Sequence, residues 1–239
     1  MHANLEALQA CLAHLAAEGV DGHAFLGDLV GYGADPGPVV DLVAEHAARG
    51  AAVVLGNHDD ATVQGNTESM HGAAAAAIAW TRTRLDARQL AFLAGLPLTV
   101  TRGDVLFVHA SAESPREWIY VTDPYRAEQC LARTDARYVF AGHVHEPVLY
   151  YVSAGRRPVP FKPSPGVPIP VPPHRRWLAI AGSCGQPRDG SAAACCAVAD
   201  LGRHTLTFHR VPYDHRAAAR KVREAGLPET LAHRLERGT

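Results

Sequence analysis

The stretch Gly142-His143-Val144-His145 sets two imidazoles at alternate positions, directly after Arg137-Tyr138-Val139-Phe140-Ala141, a run rich in β-formers. Just past a strand end both rings can turn toward one point, and neutral imidazole is the commonest side-chain metal ligand near neutral pH. Taken alone, the pattern also fits a surface turn that happens to hold two histidines. Polar residues follow other apolar runs in the same way: Asp28 after Ala24-Phe25-Leu26-Gly27, Asn57-His58 after Ala51-Ala52-Val53-Val54-Leu55-Gly56, and His109 after Val105-Leu106-Phe107-Val108. Each of these is separately readable as a cap or turn residue. Asp, Asn and His without cysteine suit manganese, iron or zinc and argue against a structural thiolate site.

The elements that must position these residues are short. Leu5, Leu8, Leu12 and Leu15 mark a helical stripe with Asn4 as N-cap, ended by Gly19. Further helices are expected over 39–48, 73–85, 87–93 and 125–132, and two more over 214–225 and 229–237. Strands are expected at 24–26, 51–55, 105–108, 137–141, 177–181, 194–199 and 205–211, with a hairpin joining 148–152 to 159–161 across Ser153-Ala154-Gly155-Arg156. The proline-rich 158–173 segment must be extended loop or edge strand, because proline cannot donate to a ladder; a proline-motif ligand is the functional alternative. Strands alternating with helices imply an α/β sheet, whose ligands bind beyond the carboxyl ends of the strands. That rule gathers the polar strand ends at one rim.

The 239 residues are 47% hydrophobic and 20% charged, with a formal net charge of -1. Such a chain has ample core for one domain over 1–239 closed by a helical tail at 213–239, and no boundary or repeat is visible. The charge points to neither a nucleic-acid polymer nor a membrane surface. No stretch reaches the ~18 apolar residues of a membrane span, and the N-terminus has no secretory pattern. Five cysteines without C-x-x-C spacing read as free thiols of a cytoplasmic protein.

Gly27-Asp28-x-x-Gly31, Gly56-Asn57-His58-Asp59, His109 and Gly142-His143-Val144-His145 resemble the ordered motifs of the calcineurin-like metallophosphoesterases. Gly182-Ser183-Cys184-Gly185-Gln186-Pro187-Arg188-Asp189 resembles a further block of small bacterial members, which include phosphodiesterases and diadenosine tetraphosphatase-related proteins. The resemblance implies a four-layer α/β/β/α sandwich and hydrolysis of a phosphomonoester or phosphodiester by water activated between two divalent ions (manganese, iron, zinc or nickel). It implies Asp28 as the bridging ligand, Asn57, His109 and His143 on the second ion, and His2 and His145 on the first. His58 is implied as proton donor to the leaving oxygen or stabiliser of its charge, with Asp59 orienting it. The family's first motif is Asp-x-His at the end of a first strand; here Met1-His2 begins at its middle, so that strand and that Asp are missing. The expectation is an upstream start, with Met1 an internal methionine, and a native N-terminus at Met1 in peptide mapping would refute it. As it stands, His2 is expected at a poorly ordered terminus.

Arg188 can clamp a phosphate with its planar fork or be a surface arginine, and Tyr32 can line the pocket or simply pack. Cys184 has no base beside it and reads as a small buried residue. His14, His46 and His233 fall on predicted helices as solvated residues, while His23, His71, His174, His204, His209 and His215 have no nameable partner. The expected partner is a small phosphorylated substrate, nucleotides included; the oligomeric state is unreadable. Set against the enzyme is a degenerate, non-catalytic fold that binds a phosphorylated ligand or protein, which the missing Asp favours. A single structural metal would leave Asn57-His58 without a role.

Overall fold

The computed structural model describes residues 1–68, 70, 72–153 and 155–239; His71 and Ala154 of the predicted turn lie outside them. In chain order the elements are α1 (Leu5–Ala17), β1 (Ala24–Phe25), α2 (Pro36–Ala48), β2 (Ala52–Val53), α3 (Asn57–Gln64), α4 (Gly72–Arg82), α5 (Ala87–Ala94), β3 (Thr99–Arg102), β4 (Val105–Val108), α6 (Pro124–Ala132), β5 (Tyr138–Ala141), β6 (Pro147–Val152), β7 (Val159–Phe161), β8 (Ile169–Pro170), β9 (Arg176–Ala181), β10 (Ala194–Asp200), β11 (Thr205–Val211), α7 (His215–Glu224) and α8 (Glu229–Arg237).

One sheet has the order β3-β4-β5-β9-β6-β7, with β4, β5 and β9 parallel at its centre. Its central strands are covered on both faces, so they read as continuous apolar runs whose side chains still alternate. Leu106, Val108, Val139, Ala141, Leu178 and Ile180 pack against Ala127, Cys130 and Leu131 of α6. Val105, Tyr138, Trp177 and Ala179 face the other way, onto Leu206 and Phe208 of β11. There a second layer holds the sheet β10-β11-β8 and the parallel pair β1-β2. Helices α1, α2 and α5 cover the β1-β2 pair through Leu8, Val39, Val40, Val43 and Leu93 against Phe25 and Val53. The result is an α/β/β/α sandwich. Helices α7 and α8 pack through Ala218, Ala219, Val222 and Leu231 onto Ala77 of α4.

Asn4 caps α1 as expected, its side chain accepting from the Ala7 N–H. The proline-rich run forms β8, a two-residue edge strand on β11. Two elements were not foreseen from the sequence. Asn57 opens a helix, and Thr99–Arg102 adds an exposed edge strand beside β4. Strands β1 and β10 do not pair with each other among the described residues, and a cavity of about 830 Å³ lies between them, lined by Phe25, Leu26, Cys195, Ala197 and Val198 and opening on Asp28 and His143.

Candidate metal centre

The centre forms where β1, β2, β4 and β5 end. Asp28 follows β1, Asn57 and His58 open α3 after β2, His109 follows β4, and His143 and His145 follow β5. Asp28, His143 and His145 all have left-handed backbones, with φ of 51°, 64° and 70°. Strain of this kind is held only where the surroundings over-determine it. The loops carrying Asp28 and Asn57 touch backbone to backbone at Gly56, where a Cβ would lie 2.1 Å from the Asp28 nitrogen.

His2 corrects the expectation of a disordered terminus. It is 2% exposed. The nitrogens of Met1 and His2 both donate to the Asp28 carbonyl oxygen, at 2.8 and 2.7 Å, and Ala3 donates to that of Leu29. These hydrogen bonds, with burial against the Asp28 loop, hold the residue in place.

The ligand-type atoms fall into two groups that share one carboxylate. His109 Nε2 lies 3.1 Å from Asn57 Oδ1, 3.0 Å from His143 Nδ1 and 3.3 Å from Asp28 Oδ2. His2 Nε2 lies 3.0 Å from His145 Nε2 and 3.7 Å from the same Asp28 oxygen. Backbone carbonyls fix the tautomers. His109 Nδ1 donates to Leu26 O at 2.6 Å and His145 Nδ1 to Gln186 O at 2.7 Å. Both Nε2 atoms therefore present lone pairs inward, toward other acceptors. A carboxylate oxygen, an amide oxygen and imidazole nitrogens converging at these distances are the surroundings of a cation, and the ligand types fit two borderline divalent ions.

Electrostatics agree with that fit. Burial raises Asp28, but the facing His109, His58 and His2 imidazoles outweigh it and hold the carboxyl well below its usual range. Burial lowers His2, helped by His145, and lowers His145, helped by Arg188, so both rings are neutral and ready to ligate. Burial, then His109, takes His143 down to about 3. His109 goes the other way: burial opposes its charge, but Asp28 overrides burial and raises it. The Asp28 carboxylate thus favours the protonated His109 ring, in competition with a cation.

His58 is buried beside His2 and Asp28, its backbone N–H donating to Asp28 Oδ1 at 2.9 Å, and its ring Nδ1 has no partner. Asp59, expected to orient that ring, makes its hydrogen bonds elsewhere. Its carboxylate accepts from the Val30 and Gly56 backbone N–H groups at 3.1 and 3.0 Å, so it ties the loops together; burial and the nearby Asp28 push it up to about 7. Tyr32 packs on His2 and His58, and its hydroxyl accepts from Arg188 at 3.3 Å. Both residues thus stand at the rim. Cys184 is half-buried, with its sulfur 3.7 Å from that of Cys11. Trp118 and Tyr120, unremarked in the sequence, pack on His109 and His143, Tyr120 stacked at 3.9 Å. Their closeness to each other in one loop after His109 was the available signal.

The calcineurin-like phosphoesterase sequence profile matches residues 1–147. The chain belongs to the calcineurin-like phosphoesterase family. An uncharacterised protein of Methanocaldococcus jannaschii is 31% identical over 240 residues, covering 98% of this chain and 94% of that protein. The solved structure of a metallophosphoesterase from Sphaerobacter thermophilus matches at a TM-score of 0.87 and 36% identity, covering 100% of this chain and 96% of that one. A hypothetical protein from Pyrococcus horikoshii OT3 shares the fold at a TM-score of 0.79 and 17% identity, over 100% of this chain and 95% of that one. Calcineurin-like phosphoesterases hydrolyse phosphoesters, and the two ligand groups about Asp28 are this chain's candidate metal sites.

Proposed function

We propose that this chain hydrolyses a small phosphoester, with nucleotides among its substrates, in the cytoplasm. The observation that carries the reading is the single Asp28 oxygen shared by the His109 group and the His2 group. Two divalent ions held there, manganese first among the candidates, would supply Lewis acidity toward a phosphoryl group and lower the pKa of water. Asn57, His109 and His143 would hold one ion, and His2 and His145 the other. Burial keeps His58 below its ordinary range, so its ring is neutral at pH 7 and offers an N–H to the leaving oxygen. Arg188, pointed by Tyr32 and Gln186, is set to take a non-bridging phosphate oxygen.

One observation favours the binding alternative. Asp28 is the sole carboxylate in either ligand group at the centre among the described residues, which leaves the His2 ion short of negative charge. Manganese-dependent hydrolysis of bis(p-nitrophenyl) phosphate separates the two readings. The assay is run on this chain and on a version extended ahead of Met1 by a strand-forming segment ending in Asp, each with His58→Ala. The expected result is turnover that falls by about 10²–10⁴ in kcat on loss of His58. No turnover in either version, with metal bound and protein folded, would favour the binder.

A further inference from the structure

Far from this centre, α1 and β11 bring a second set of ligand-type atoms together. His14 and Glu18 stand one helical turn apart at the end of α1, so their side chains leave the same face. Strand β11 presents His209 to that face. His14 Nε2 lies 2.9 Å from His209 Nδ1 and 3.9 Å from a Glu18 carboxylate oxygen. The three ligand atoms all fall within 4.8 Å of one another. Metal bonds of about 2.0–2.1 Å at tetrahedral angles separate ligand atoms by roughly 3.3 Å, so small side-chain adjustments close these spacings on one ion. The side chains of His14 and Glu18 are 30% and 44% exposed, which leaves the group open to solvent on one side. Burial and the neighbouring His14 lower His209, leaving it a neutral imidazole. Neither histidine is the solvated, partnerless residue that the sequence suggests.

We propose that His14, Glu18 and His209 bind a borderline divalent cation, zinc in the first instance, as a clamp between α1 and β11. Two imidazoles and one carboxylate with a position left for water form a recognised zinc set. The absence of thiolate argues against copper(I), and the two nitrogens argue against magnesium or calcium. The site is distinct from the phosphoesterase centre: the ten residues from Asn4 to His14 put roughly 15 Å of helix between them. Its effect is to fix the far end of the helix whose near end begins beside His2.

The test is zinc stoichiometry. Metal-free full-length protein is dialysed to equilibrium against micromolar zinc, and bound zinc per chain is measured for wild type, His14→Ala, His209→Ala and the control His46→Ala. Wild type and the control are expected to hold one more zinc than either cluster variant. Zinc is also expected to raise the Tm of wild type by more than that of His14→Ala. Equal zinc in wild type and His14→Ala would overturn the proposal. His14 lies at a half-exposed helix position, so that variant keeps the test decisive even where His209→Ala fails to fold.

Discussion

Leu26 O accepts a hydrogen bond from Nδ1–H of His109, and Gln186 O accepts one from Nδ1–H of His145. Those two carbonyls decide which nitrogens face Asp28, and no residue type announces them, because any backbone could supply them. The ligands themselves were legible, since Asp, Asn and His at strand ends are unusual residues in predictable places. The raised His109 yields a prediction. Below its elevated pKa, which lies above the ordinary 6.5, the ring carries a proton that an incoming cation must displace. Metal uptake should therefore release a proton and weaken as pH falls through that range. Calorimetric titration with manganese in buffers of different ionisation heat should give buffer-dependent enthalpies. The dependence should shrink in His109→Asn, and an enthalpy independent of buffer would count against the assignment.

Helix α3 shows what the sequence hid at the level of elements. Its first turn is Asn57-His58-Asp59-Asp60, and it buries His58, Asp59 and Thr62, so it has no apolar stripe to betray it. Strand β3 was hidden for another reason: Thr99–Arg102 is a short, mostly exposed edge. The central strands were plain because burial on both faces makes them apolar throughout. What fixes α3 in place is Gly56, pressed against the Asp28 loop. Gly56→Ala should cost about 2–3 kcal/mol by overpacking, lowering Tm by roughly 5–10 °C and reducing manganese retention. Gly22→Ala, whose added Cβ would meet nothing within 4 Å, should leave both unchanged. Thermal melts with metal analysis would check the pair.

Across the whole molecule, the centre joins the two sheet layers: Asp28 and Asn57 come from the β1-β2 side, His109 and His143 from the six-stranded sheet. A cation there would tie the layers together, beside the apolar contacts and the His109–Leu26 hydrogen bond that already join them. At a metal concentration about a hundredfold above Kd, binding adds ~2.7 kcal/mol, so chelation should lower Tm by roughly 5–10 °C. Calorimetry with and without chelator measures this, and coincident melts would argue that the ligands hold no ion. The partly buried Met1 bears on how the protein can be handled. Its nitrogen is bonded to Asp28 O and the residue lines the cavity between β1 and β10. A peptide tag, fluorophore or surface linker attached at that residue would lie against the Asp28 loop, beside His2. Thr239, exposed at the opposite terminus, gives the same handle with the centre undisturbed.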